Sequence, residues 1–208
     1  MVTDTTVAGY LDELASSSAV PGGGGVSALA GSLGAALGCM VAELTKGKAA
    51  YADVDDEVRE LLRQATELRR ELLRLSDADA EAFAPLSAAY RMPRTTPEEI
   101  AERERVLQGA LVVAAEAPLA TMERSCEAVE VLSRLAEIGS RLAVSDAGCG
   151  VVLCRAALSS AALSVFINTR LMADRQRADA INSRARELMS RGHARADEVY
   201  DKVEEMLR

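Results

Sequence analysis

A carboxylate stands in this sequence where a hydrocarbon is expected. Val58, Leu61, Ala65, Leu68, Leu72, Leu75, Asp79, Ala82 and Leu86 follow 3-4 spacing, the mark of one buried helical seam, and Asp79 interrupts it. A carboxylate in such a seam must be paired, hydrogen-bonded or protonated, because an isolated buried charge is costly. The pattern fits an ion pair or cap to another helix as well as it fits acid/base chemistry. Asp77 and Glu81 fall on other faces of the same helix and read as solvated. Asn168 poses the same question in a second seam, Val151, Cys154, Leu158, Ala161, Val165, Asn168 and Met172. A buried amide there either fixes the register of a bundle or dimer or reads a polar ring edge.

Cation usage adds a third clue. Only three of the 24 basic residues are lysines, and two of them bracket a glycine in Lys46-Gly47-Lys48. An amine, unlike a guanidinium, can titrate and pass a proton; the plainer reading is a helix C-cap with cations facing the dipole. The run Pro21-Gly22-Gly23-Gly24-Gly25 ahead of an apolar helix can present backbone N–H groups to an anion. It lacks the Gly-Lys-Ser/Thr ending of a P-loop, and no strand precedes it.

The elements that must position these residues are all helical. Composition is 49% hydrophobic but 3% aromatic, with no Trp, so Ala, Leu and Val build the core. No period-two alternation marks a strand. The spacing predicts a first helix from Thr5 or Thr6 to about Ser17 and a small-residue helix over 26–45. The Asp79 helix follows, ending before Pro93 and Pro97. A fourth helix runs from the Thr96-Pro97-Glu98-Glu99 cap to Ile138, bent or interrupted near Pro118. A fifth opens at Ser145-Asp146 and reaches about Met172, and a polar-faced sixth runs from near Asp174 to Leu207. Short connections between long helices imply a single all-α, up-and-down multi-helix bundle over residues 1–208.

Several functions are disfavoured. A net charge of −8 argues against nucleic-acid binding. No signal peptide is visible at the start, and the apolar stretch 147–167, which carries Arg155, reads as a core helix and not a membrane span. The expectation is therefore a cytoplasmic protein. Cys39, Cys126, Cys149 and Cys154 form no Cys-x-x-Cys pair and read as buried reduced thiols, and the single His193 makes a metal site or a Ser-His-Asp triad improbable.

Taken together, these stretches resemble the cyclodeaminase/cyclohydrolase family, the folate-converting module found alone or at the C-terminus of formiminotransferase-cyclodeaminase. The likeness lies in Pro21 to Leu29, Gly34 to Gly38, and Leu44-Thr45-Lys46-Gly47-Lys48 with Tyr51. It continues in Asp77 to Phe83, Met92 to Glu99, Ser145 to Gly148 and Ala162 to Asn168. One departure is Gly139-Ser140-Arg141, where the family usually has Gly-Asn. The resemblance implies a helical bundle, a homodimer or larger assembly, a folate substrate, and no metal or further cofactor.

Two activities follow from it. One hydrolyses 5,10-methenyltetrahydrofolate to 10-formyltetrahydrofolate; the other converts 5-formiminotetrahydrofolate to methenyltetrahydrofolate and ammonia. Because no formiminotransferase half accompanies the sequence, and because 145–148 and 161–168 resemble stand-alone enzymes, the cyclohydrolase is the first expectation. The resemblance makes Lys48, Asp79 and Asp146 the candidate catalytic residues. Gly23, Gly24, Gly25, Ser27, Lys46, Tyr51, Arg94, Ser140, Arg141 and Asn168 are the candidate substrate-binding residues. A helical scaffold that binds folate without turnover is the rival from another class.

Overall fold

The computed structural model describes residues 2–208, and the side chain of Thr3 lies outside the description. Six α-helices follow one another. They are α1 (Val7–Leu14), α2 (Gly23–Glu43), α3 (Asp55–Arg91), α4 (Pro97–Ile138), α5 (Val144–Arg170) and α6 (Arg175–Leu207). Short 3-10 turns at Val2–Asp4, Ala49–Val54 and Arg141–Ala143 fill the joints. From α2 onward each helix reverses the direction of the last, giving the up-and-down bundle that the sequence predicts.

Local chemistry fixes the helix starts. Thr6 accepts a hydrogen bond from the Gly9 N–H, and Asp174 accepts one from Arg177, each satisfying a first-turn donor. Thr96 and Glu99 form a reciprocal capping box with Pro97 at the first helical position. Two boundaries differ from the expectation. Helix α1 stops at Leu14, short of Ser17, and α4 is not interrupted at Pro118, which is buried within it. A third difference concerns the site: α2 begins at Gly23, so Gly23, Gly24 and Gly25 form its first turn and do not precede it.

The α3 seam packs as its spacing demands, with Val58 and Leu72 fully buried against α2 and α4. Helix α2 packs against α3, α4 and α5. It can do so because small residues leave its backbone accessible. A Cβ on Gly34 would lie 2.6 Å from Cys154 Sγ and 2.7 Å from the Gly150 carbonyl oxygen, so α2 and α5 cross almost backbone to backbone. Helices α3 and α4, of 37 and 42 residues, overshoot the 21-residue α2. Their far ends close a second cluster around Leu86, Leu111 and Met172. A third cluster, around Met122, Leu158 and Leu188, seats α6 on α4 and α5.

Two glycine substitutions should move stability in opposite directions. Gly34→Ala places a methyl against backbone that cannot yield, and should cost about 1–3 kcal/mol despite the better helix propensity of Ala. Gly109→Ala, at an exposed position of α4 with no atom within 4 Å of the new Cβ, should stabilise by about 0.5–1 kcal/mol. Urea unfolding of both variants checks the contrast.

Candidate active site

The first turn of α2 faces the Asp79 turn of α3 at the closest approach in the site. A Cβ on Gly24 would stand 2.1 Å from Asp79 Oδ1, so the carboxylate occupies the space a side chain would take. Asp79 thus lies against the first turn of α2 from another helix, at the end where the peptide dipoles favour negative charge. Burial raises its pKa above the usual carboxylate range, and the nearby Gly25 N–H offsets part of that rise. A carboxyl poised in this way can take a proton from water more readily than an exposed one.

A cavity of about 250 Å³ opens in front of this carboxylate. Gly22, Gly23 and Gly24 form one wall, Asp79 and Phe83 a second, and Ser164, Ile167 and Asn168 a third, with Ala114 behind. Asn168 donates to the carbonyls of Ala114 on α4, at 3.0 Å, and of Ser164, at 2.9 Å. Both partners are acceptors, which fixes the amide orientation and leaves Oδ1 to accept from a ligand. Ser27 is spent locally, its hydroxyl donating to the Gly24 carbonyl at 2.6 Å.

The remaining candidates lie elsewhere. Lys46, Lys48, Tyr51, Ser140, Arg141 and Asp146 gather at the other end of α2, about 30 Å away by helical rise. There the Ser140 N–H donates to Thr45 Oγ1 at 2.8 Å and the Arg141 N–H to Tyr51 Oη at 3.2 Å, tying the α4–α5 joint to the turn after α2. Lys46 pairs with Glu43 at 2.6 Å, whereas Lys48 is exposed, and Asp146 sits half-buried in the first turn of α5. Arg94 stands apart on the exposed α3–α4 turn beyond Asp79. Within one chain, therefore, Asp79 and Asn168 meet, and Lys48 and Asp146 do not join them.

The structure adds residues that the sequence reading passed over. Phe83 lies one turn beyond Asp79, and Ser164 and Ile167 lie beside Asn168, so helical spacing from the two polar residues would have found them. Tyr10, 8% exposed, buries its hydroxyl next to Ser76 without a well-directed partner. Desolvation pushes its pKa up, and Asp77 and Asp79 add to the effect. Cys149 corrects an expectation. It is exposed on α5, unlike the buried Cys126 and Cys154.

Two other features carry less chemistry. A larger cleft, about 1090 Å³ between α3 and α4, presents Arg63, Arg70, Arg74 and Arg124 against Glu67, Glu71, Glu127 and Glu130, so it has no net attraction for an anion. Ser159 Oγ lies 2.9 Å from His193 Nε2, near an Asp197–Arg155 pair at 2.6 Å. Ser159 sits in mid-helix, where its N–H is bonded within the helix and no oxyanion donors converge, so this group braces α5 to α6. Among the described residues no group of three or more His, Cys, Asp or Glu side chains is placed to hold a metal.

Fold and site together define a class: an antiparallel helical bundle whose pocket sets a carboxylate and an amide against a glycine-built helix start. Comparison with known proteins agrees. The formiminotransferase-cyclodeaminase family profile matches residues 6–187. The chain is 37% identical over 203 residues to the methenyltetrahydrofolate cyclohydrolase of Methylorubrum extorquens, covering 98% of each. It is 34% identical to the formimidoyltransferase-cyclodeaminase of Mus musculus over 82% of this chain and 32% of that larger protein. The crystal structure of formiminotetrahydrofolate cyclodeaminase from Thermotoga maritima superposes with a TM-score of 0.82 at 28% identity, covering 100% of this chain and 98% of the other. The chain belongs to the formiminotransferase-cyclodeaminase family.

Asp79 should weaken the fold it serves. Folding raises its pKa, so its contribution favours folding less as pH rises from the unfolded value of 3.8 through the folded one. Asp79→Asn should therefore be more stable than the wild type at neutral pH, with the difference closing in acid. Urea unfolding of both proteins across the acidic range measures it.

Proposed function

We propose that this chain is a methenyltetrahydrofolate cyclohydrolase, acting in the pocket between Gly24, Asp79 and Asn168. The observation that carries this reading is the Asp79 carboxylate, held in an apolar pocket by the first turn of α2. The methenyl bridge of the substrate is an amidinium-like cation, and a carboxylate with raised basicity both attracts it and accepts a proton from the attacking water. Water oxygen bonds to the bridging carbon while its proton passes to Asp79. The carbon–N5 bond then breaks, its electron pair staying on N5, which takes up a proton as the carbinol oxygen loses its own. One proton is released overall, and the formyl group remains on N10.

The rest of the pocket suits the pterin. Phe83 offers a flat apolar wall, the bare backbone of Gly23 and Gly24 lets a ring approach closely, and Asn168 Oδ1 accepts from a ring amide or amine. The similarity to the Methylorubrum cyclohydrolase, which spans 98% of both chains, favours hydrolysis. The likeness to the Thermotoga cyclodeaminase supports a second reading, ammonia release from 5-formiminotetrahydrofolate in the same pocket. We further assign the chain to the cytoplasm, with no nucleic-acid or membrane partner and no resident metal or cofactor beyond the folate. Three helical segments, Gly23–Glu43, Pro97–Ile138 and Arg141–Arg170, are long and apolar enough to cross a membrane. In each, about half of the most apolar window is buried against the others.

Loss of methenyl absorbance, corrected for spontaneous hydrolysis, tests the assignment. Asp79→Asn should lower kcat by about 10²–10⁴-fold, the usual worth of a general base. Asn168→Ala should chiefly raise KM, since it removes a contact made equally in ground and transition states. Ammonia release from 5-formiminotetrahydrofolate that outpaces methenyl hydrolysis would reverse the order of the two readings.

A further inference from the structure

One wall of the Asp79 pocket comes from outside the packed helices. Ala19 and Val20 line it from the segment between α1 and α2. A second cavity, of about 330 Å³, lies on the other side of that segment, under α1 and against Ser76 and Ala80 of α3. Among the described residues Val20 alone lines both cavities. Pro21 lines only the second and Gly22 only the first, so the chain at Val20 is the partition between them. At about 250 Å³ the Asp79 pocket by itself falls short of the usual volume for a cofactor-sized ligand, whereas the two cavities together reach it.

The partition is lightly fastened. Each of α2 to α6 packs along at least two other helices, while α1 packs along the length of none. Val7, Tyr10, Leu11 and Leu14 make an apolar stripe at helical spacing, yet Tyr10 is the buried member, and Val7 and Leu11 are 79% and 54% exposed. After α1, Ala15, Ser16 and Ser18 bond back to Leu11, Glu13 and Ser16, which ties the segment to α1 and not to the core. The anchors on α3 lie further back along the chain: the Val2 N–H donates to Asp77 at 2.6 Å, and the Tyr10 hydroxyl is buried beside Ser76. A segment with so few apolar contacts moves at little cost.

We propose that Val20 sets the size of the Asp79 pocket, as a movable partition that retreats into the cavity under α1 when the ring system enters. The direction of movement follows from what lies on each side. The other walls of the pocket belong to α2, α3, α4 and α5, which hold one another in the core. Behind Val20 there is a cavity, and beyond it a helix seated by one buried side chain. Moving the partition uses part of the ligand's binding energy, so the resting position lowers the affinity for a ring that needs the second space. A smaller ring escapes that penalty, which makes Val20 a size filter. This role rests on the proposed folate chemistry for the identity of the ring; the two cavities and their shared wall do not depend on it.

Variants on the two sides of the partition test it. Val20→Ala trims the side chain between the cavities and should lower KM for methenyl hydrolysis by about three- to tenfold, with kcat nearly unchanged. Ala80→Phe fills the second cavity from α3 without lining the first, and should raise KM by about tenfold with kcat again nearly unchanged. Ala80→Leu fills less of the same space and serves in its place where urea unfolding shows that the Phe variant is not folded. Dissociation constants for 5-formyltetrahydrofolate, measured by calorimetry, should move in step with KM. Binding of the same compound to the wild type should slow hydrogen exchange at the α1 amides as the cavity beneath them fills. An unchanged KM in a folded Ala80 variant would overturn the proposal, as would a Val20→Ala variant that loses kcat or gains KM, or α1 exchange that ignores the ligand. Those results with an active wild type refute the partition and leave the function standing. A wild type that neither binds 5-formyltetrahydrofolate nor hydrolyses the methenyl compound refutes the function, and the role of Val20 with it.

Discussion

The architecture depends on how close other groups can come to the backbone of α2. At Gly24 the visitor is a carboxylate, and at Gly34 it is the backbone of α5. A single methyl at either place would occupy space already filled. Such contacts lack the apolar area of a leucine seam, and α2 pays for its glycines in helix propensity. Its stability is therefore borrowed from α3, α4 and α5, which pack against it. The same bareness that makes α2 a poor isolated helix makes its first turn a good wall for a flat ligand.

Asp79 shows how a scaffold carries one costly position. The α3 seam supplies ample burial on either side of it, from Val58 to Leu75 and again at Leu86, so the helix tolerates one costly position. The cost is only partly recovered, since the Gly25 N–H offsets desolvation without cancelling it. A salt bridge would have recovered more, but it would also have lowered the pKa and spent the basicity that the proposed reaction needs.

Much of this was legible in the sequence, and the exceptions have physical causes. The α3 seam, the Thr96 capping box and the Asp174 cap follow from periodicity and short-range hydrogen bonding, so they could be read directly. Three consecutive glycines weigh against helix, so the sequence points to a start at Val26; the carboxylate that lies against the first turn from Gly23 comes from Asp79, more than fifty residues away, and no local rule sees it. Pro118 sits inside α4 because tertiary packing on both sides holds the helix together where propensity would break it. Asp79 and Asn168 announced themselves as polar groups in apolar seams. That Lys48 and Asp146 lie at the other end of the bundle could not be read, since it depends on the direction of each helix and not on residue type.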